Sequence, residues 1–69
     1  MHTYSCFIHD RRYAVPTLRL IDAADDDDAR SRALDELAAS RDHLGVELHS
    51  DTQLILKRER RAFGAQPAR

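Results

Sequence analysis

The fold is decided by a central stretch that reads DDDDARSRALDELAASRDHLG from residue 25 to residue 45. Asp25 or Asp26 is a good N-cap, because a short carboxylate accepts hydrogen bonds from the free N–H groups of the first helical turn. Gly45 is the residue type that ends a helix in a left-handed turn. We therefore predict a helix from about Asp26 to His43. Its amphipathic stripe follows the helical spacing of three and four and consists of Ala29, Ala33, Leu34, Leu37, Ala38, Arg41 and Leu44.

Two β-rich segments flank this helix on each side. Residues 3–9 and 14–21 precede it, residues 46–50 and 53–58 follow it, and polar turn residues separate the members of each pair. Pro16 has no N–H to donate, which either places the second strand at a sheet edge or turns this position of the strand away from its neighbour. We predict an α+β domain of the type ββαββ, with a four-stranded antiparallel sheet in the order 2-1-3-4 and the helix packed on one face.

The parity of the apolar residues predicts the register. Pairing Cys6 with Leu18 and Tyr4 with Leu20 places all four on one face and leaves a loop of about three residues. A second hairpin loop with an odd number of residues places Leu54 and Leu56 on the same face as Val46 and Leu48. The predicted core face consists of Tyr4, Cys6, Ile8, Leu18, Leu20, Val46, Leu48, Leu54 and Leu56.

The opposite face of the sheet is predicted to be half apolar. Its apolar residues are Phe7, Val15, Ile21 and Ile55, interspersed with polar ones such as His9, Glu47 and His49. One helix covers only one face, so we predict that these four residues form the interface of a homodimer or the docking site of a protein partner. The competing interpretation is that a few scattered apolar residues are ordinary on a small protein's surface.

Length and composition limit the classes of function. The 69 residues allow one domain, predicted at 1–60 with a flexible tail at 61–69. So small a core leaves little room for a deep catalytic pocket, which disfavours an enzyme. The chain has no apolar run of membrane-spanning length, and its first residues lack the charged and apolar pattern of a signal peptide, so we expect none. Its single cysteine, Cys6, fits a reducing compartment. We therefore expect a cytoplasmic protein that does not bind membranes.

Candidate metal and catalytic residues do not form a recognisable site. Consecutive carboxylates on a helix point about 100° apart, so Asp25 to Asp28 do not converge on one ion. Cys6 and His9 are separated by an odd number of residues and lie on opposite faces of a strand. Ser5, Ser50 and Cys6 lack a nucleophile motif. We predict no catalytic residue, no metal and no cofactor, and we expect Cys6 to be a small buried apolar residue.

Single-stranded nucleic acid is the alternative partner. An exposed aromatic ring beside basic residues is typical of surfaces that stack a base and neutralise phosphates. The candidate residues are Phe7, Arg19, Lys57, Arg58 and Arg60. Against this, the 11 basic residues are matched by 12 acidic ones, and a basic last strand also protects a sheet edge from aggregation.

The overall pattern resembles a known class of small domains. The β-rich start Thr3 to Asp10, the acidic cap Asp25 to Asp28, the Ala/Arg-rich helix, and the two last strands with Val46-Glu47-Leu48 and Leu54-Ile55-Leu56 are similar to small ββαββ domains common in proteobacteria. The resemblance covers about residues 2–60. It implies the fold only, because that class has no assigned activity or functional residues that could be carried over to this chain.

Overall fold

The computed structural model describes residues 1–60 of the 69-residue chain. Its elements follow the order β1 (His2–Asp10), β2 (Thr17–Ala23), α1 (Asp26–Ala38), β3 (His43–Ser50) and β4 (Gln53–Glu59). The strands form one antiparallel sheet in the order β2-β1-β3-β4, and α1 packs on one face of it. The predicted ββαββ fold and strand order are confirmed, whereas the predicted tail at 61–69 lies outside the described residues.

The core lies between α1 and alternate residues of the sheet. Small side chains on the helix, Ala29 and Ala33, allow it to approach the strands closely, and both are fully buried. Leu37, Ile55 and Leu56 pack around the edge of this core. The buried apolar set is Tyr4, Cys6, Ile8, Ile21, Ala23, Ala29, Ala33, Val46 and Leu48.

The register of the first hairpin differs from the prediction by one residue. Tyr4 pairs with Ile21 and Cys6 pairs with Arg19. The connection spans residues 11–16 rather than three residues. Its start is held at the end of β1, where the Tyr13 N–H donates to the Asp10 carbonyl at 3.1 Å. A shift of one residue exchanges the two faces of a strand, so Ile21 is buried on the helix side.

The same shift turns the two leucines of β2 away from the helix. Leu18 is 54% and Leu20 is 64% exposed, so their predicted core positions are wrong. Val15 and Pro16 precede β2 in the connecting loop and do not belong to a strand. Val15 is 70% exposed there.

The second hairpin contains a β-bulge, and here too the observed register differs from the prediction. Leu48 pairs with Leu56, but His49 pairs with Leu54, so Ile55 is an extra residue in β4. An extra residue reverses the alternation of side chains on one side of the bulge. Leu54 is therefore 50% exposed, and Ile55 packs against the core. The predicted positions of both residues are wrong, while Leu56 contacts the core as predicted.

The acidic stretch builds the start of the helix. Asp25 is the N-cap, and its Oδ1 accepts from the Asp28 N–H at 2.8 Å, while the Asp28 carboxylate accepts from the Ala24 N–H at 3.0 Å. Asp28 also pairs with Arg32 at 3.3 Å, as the spacing predicts. Arg30 pairs with Asp27. The prediction of capping is confirmed.

The helix ends at Ala38, five residues before the predicted end. A tight turn follows, in which the Ser40 carbonyl accepts from the His43 N–H at 3.1 Å. Gly45 consequently lies within β3 instead of ending the helix. A Cβ atom at Gly45 would lie 3.0 Å from the Arg58 carbonyl oxygen, so close packing between β3 and β4 explains the glycine.

Candidate interaction face

The side of the sheet opposite α1 carries the candidate functional residues, and we call it the uncovered face. Strand pairing and the alternation of side chains assign its members. These members are Thr3, Ser5, Phe7 and His9 of β1, Leu18, Leu20 and Asp22 of β2, Glu47 and His49 of β3, and Leu54, Lys57 and Glu59 of β4.

The apolar side chains of the uncovered face lie in two cross-strand rows that also contain polar residues. One row runs Leu18, Phe7, Glu47, Lys57 from β2 to β4, and the next runs Leu20, Ser5, His49, Leu54. Phe7 is half-buried, and its ring meets the His49 ring edge to face at 5.5 Å between centroids. The apolar residues thus reach both outer strands of the sheet.

This set differs from the predicted interface residues. Of the four, Phe7 lies on the uncovered face as predicted. Ile21 is buried under the helix, Ile55 packs against the core, and Val15 lies in the loop before β2. These three residues therefore do not lie on the uncovered face, where the sequence pattern placed them. Sequence parity missed Leu18, Leu20 and Leu54 because the registers of both hairpins are altered by local irregularities.

The centre of the uncovered face is polar. Glu47 lies between two histidines: the Nε2 of His9 is 3.2 Å from its Oε2, and the Nε2 of His49 is 3.4 Å from its Oε1. A carboxylate only accepts hydrogen bonds, so both imidazoles present an Nε2–H to it. The hydrogen bond from His49, followed by the one from His9, lowers the pKa of Glu47. The prediction that these three residues share the face is confirmed, although their mutual contact was not predicted.

The basic residues predicted for nucleic-acid binding do not lie together. Arg19 is on the helix side of β2, where its Nε is 3.3 Å from the Glu36 carboxylate. Lys57 is on the uncovered face opposite Glu47, whereas Arg58 is exposed opposite Val46. Of that set, only Phe7 and Lys57 therefore lie on the uncovered face.

Arg60 has a structural role at the helix end. Its guanidinium donates to three main-chain carbonyls, those of Leu37 at 2.6 Å, Ser40 at 2.8 Å and His43 at 2.8 Å. The last turn of α1 contains no basic residue. Arg60 supplies the positive charge that the carboxyl end of a helix favours, so the fold already uses this guanidinium.

Asp10 forms a second polar cluster at the end of β1. Its carboxylate is 3% exposed and accepts from the Arg12 main chain at 2.8 Å and from its guanidinium at 2.9 and 2.6 Å. His43 lies 3.7 Å away on β3. The side-chain hydrogen bonds from Arg12 are the main reason that the pKa of Asp10 falls to about 2. This cluster anchors the loop that sets the first hairpin.

Cys6 and Tyr4 are two further groups with altered acidity. Burial raises the pKa of the Cys6 thiol to about 11, which agrees with the expected small buried apolar residue and keeps the thiolate rare. The hydroxyl of Tyr4 donates to Asp26 at 2.8 Å, and this hydrogen bond, together with burial, raises the pKa of Tyr4 to about 12. Both groups serve the packing of α1 on the sheet.

A surface hollow of about 450 Å³ lies between β2 and α1 and is lined mainly by charged side chains. Within residues 1–60, no three His, Cys, Asp or Glu side chains are arranged to hold a metal ion. No helix in the same range has the length and apolar character needed to cross a membrane.

No protein-family model matches the chain, and no curated protein or solved structure is significantly similar to it. The resemblance to proteobacterial ββαββ domains therefore stays a prediction. Function has to be argued from the uncovered face itself.

Proposed function

We propose that this protein is a non-enzymatic interaction module that forms a homodimer through the uncovered face. The observation that carries this proposal is the set of apolar side chains on a sheet face that no described element covers: Phe7, Leu18, Leu20 and Leu54. Leucines at both outer strands are 50% or more exposed, which is costly for a chain with so small a core. A second copy would remove them from water.

The pattern of the face is self-complementary, which favours a second copy as the occupant. Two sheets pack face to face with their strands within about 30° of each other. A two-fold axis parallel to the strands would lay β2 of one copy over β4 of the other. Leu20 and Leu54 occupy the same cross-strand row. Leu20 of each copy would therefore contact Leu54 of the other copy, and this contact would occur twice in one interface.

The size of the face predicts a weak dimer. Four strands spaced about 4.8 Å apart and about seven residues of 3.4 Å each give an area on the order of 500 Å² per copy. Two copies would bury about 1,000 Å², which is the lower limit for a specific interface. We therefore expect a dissociation constant in the range of about 1 to 50 μM.

Sedimentation velocity over a concentration series tests the dimer. The wild-type protein should convert from monomer to dimer in the micromolar range, and the double variant Leu20→Ser/Leu54→Ser should stay monomeric with an unchanged circular dichroism spectrum. Val15→Ser is the matched control, because Val15 is 70% exposed but lies off the uncovered face. A wild-type monomer at about 100 μM, or a double variant that dimerises as the wild type does, would contradict the proposal.

Single-stranded nucleic acid is the second candidate occupant, and one observation favours it. The rings of Phe7 and His49 and the ammonium group of Lys57 lie on the same face, as in surfaces that stack bases and contact phosphates. Phe7→Ala and Lys57→Ala should each weaken binding of a fluorescent oligonucleotide at low salt. Absence of binding by the wild type at low salt would exclude this candidate.

The proposed module acts in a reducing compartment, for which we propose the cytoplasm. The support is Cys6, which is buried, unpaired and held as a thiol by the apolar core.

A further inference from the structure

We propose that two copies of this protein bind one zinc ion on the two-fold axis of the dimer, through His9 and Glu47 of each copy. This inference rests on the proposed homodimer and adds a ligand to it. Each copy contributes two ligand side chains, so the site is complete only when two copies meet. The sequence-based expectation of no metal concerned the ligands of a single chain.

The spacing of the two ligand atoms fits tetrahedral coordination. Zinc binds an imidazole nitrogen at about 2.0 Å and a carboxylate oxygen at about 2.0–2.2 Å. Two such ligands at the tetrahedral angle are about 3.3 Å apart. The Nε2 of His9 lies 3.2 Å from the Oε2 of Glu47. This hydrogen-bonded pair therefore already has the separation of two ligands of one zinc ion.

The proposed two-fold axis brings two such pairs together. It is parallel to the strands and runs between β1 and β3, the two central strands of the sheet. His9 lies on β1 and Glu47 lies on β3, on either side of this axis. Side chains of two packed sheets interdigitate, so two imidazoles and two carboxylates would surround one point on the axis. Such a shared set is compatible with the finding that no three His, Cys, Asp or Glu side chains within residues 1–60 of one copy hold a metal.

Gly45 leaves room for the second imidazole. It is the cross-strand neighbour of His9 on β3, so the two-fold axis would lay His9 of the second copy over a position without a side chain. A hollow of about 150 Å³ lies here, and His9 and Glu47 are among its lining residues. The imidazole of the second copy would enter this hollow beside the first pair.

The charge of the uncovered face favours a bound cation. Three carboxylates, those of Asp22, Glu47 and Glu59, share the face with one ammonium group, that of Lys57. Two faces with an excess of negative charge repel each other on contact. One divalent ion between two neutral imidazoles and two carboxylates forms a group without net charge, which lowers the cost of burying the Glu47 carboxylates.

His49 holds the carboxylate in place from outside the ligand set. Its Nε2 lies 3.4 Å from the Oε1 of Glu47, the oxygen that His9 does not contact. Hydrogen bonds of this kind orient the ligands of metal sites. At His9, the ion takes the position of the Nε2 proton, and the neutral imidazole then carries its proton on Nδ1. Binding therefore needs no change in the charge of either side chain.

The experiment compares the wild-type protein in EDTA and in zinc chloride. Calorimetric titration should give one zinc ion per two chains. A ligand present at about ten times its own dissociation constant stabilises the state that it binds about tenfold. Sedimentation velocity at such a zinc concentration should therefore give a dimer dissociation constant at least about tenfold lower than in EDTA.

Three variants test the assignment of the ligands. His9→Gln removes one imidazole per copy but keeps an amide donor to Glu47, so the dimer should persist in EDTA and lose its response to zinc. His49→Gln is the matched control at the same carboxylate and should keep the response. His2→Gln controls for binding to surface histidines, because His2 is exposed at the start of β1, and it should behave as the wild type does.

The outcomes distinguish this inference from the dimer itself. A wild-type dimer of equal strength in EDTA and in zinc overturns the metal site and leaves the dimer standing. A zinc response that His9→Gln keeps, or that His49→Gln loses to the same extent as His9→Gln, overturns the ligand set. A wild-type monomer in both solutions, even at high concentration, overturns the dimer and this inference together.

Discussion

At the scale of single residues, Arg60 shows how a charged side chain far along the chain determines a local boundary. Its guanidinium bridges the carbonyls of Leu37, Ser40 and His43, and its own N–H donates to the Leu44 carbonyl at 2.7 Å. The end of β4 is thereby joined to the end of α1 and to the turn before β3. Arg60 therefore contributes to stability rather than to a binding surface.

Replacing Arg60 tests this role. Arg60→Ala removes the donor to three carbonyls and should lower the free energy of unfolding by about 1–3 kcal/mol, in the range for hydrogen bonds from charged groups. Arg60→Lys, with a single point charge, should recover only part of the loss. Arg58→Ala is the matched control, because Arg58 is exposed, and should change urea unfolding by less than about 0.5 kcal/mol. Equal effects at both positions would contradict the assignment.

The lowered pKa of Asp10 predicts a loss of folding stability in acid. Its pKa of about 2 in the folded protein lies below the value of about 3.9 for an unfolded chain. A lowered folded-state pKa means that the ionised carboxylate stabilises the fold at pH above about 4, and that this contribution disappears as the pH falls through about 2.

The measurement is urea unfolding at pH 5 and at pH 2. The wild type should lose more stability between these values than Asp10→Asn, which has no charge to lose at this position. Asp28 and Glu47 also have lowered pKa values and will add to the acid sensitivity of both proteins. An equally steep loss in Asp10→Asn would show that the pairing with Arg12 contributes nothing.

At the scale of elements, the face of each strand is set by its connection. The loop at 11–16 shifts β2 by one residue, and the bulge at Ile55 exchanges the faces in β4. Both changes move leucines out of the core and bring isoleucines into contact with it. The uncovered face owes most of its apolar character to these two local features.

A pair of substitutions in β2 tests this register. Ile21→Ala should destabilise the monomer by about 2–4 kcal/mol, because Ile21 is 7% exposed and its removal leaves a cavity under the helix. Leu20→Ala, one residue away and 64% exposed, should change unfolding by less than about 0.5 kcal/mol in dilute protein. The reverse order of effects would restore the register predicted from parity alone.

Sequence reasoning succeeded where the determining signals are local. Alternation placed Tyr4, Cys6, Ile8, Val46 and Leu48 on the core face, and Asp25 was recognisable as an N-cap from its chemistry alone. These features depend on neighbours a few residues apart, and the two hairpins then restricted the strand order.

Sequence reasoning failed where a contact with a distant residue, or a choice between equally apolar neighbours, determines the structure. The helix end depends on Arg60, which lies more than twenty residues beyond Leu37. The bulge falls in the run Leu54-Ile55-Leu56, where three apolar residues in a row fit either face equally well. The first loop depends on the ion pair between Asp10 and Arg12, and turn propensities do not encode such a contact.

At the scale of the whole molecule, residues 1–60 form a two-layer unit in which the helix covers one sheet face and no described element covers the other. The helix covers Tyr4, Cys6 and Leu48, and the opposite side presents leucines around a histidine–carboxylate centre. Two copies packed through that side would form a four-layer assembly with the helices outside. We therefore propose that the two copies contact each other through the uncovered face.

The most direct test is a dilution series followed by methyl NMR of the wild-type protein. A dimer through the uncovered face predicts concentration-dependent chemical shifts for the methyl groups of Leu18, Leu20 and Leu54. The methyl signals of Ala29 and Ala33, which are buried on the other side of the sheet, should not move. Leucine signals that do not move from the lowest concentration to the highest, or shifts confined to the helix side, would contradict it.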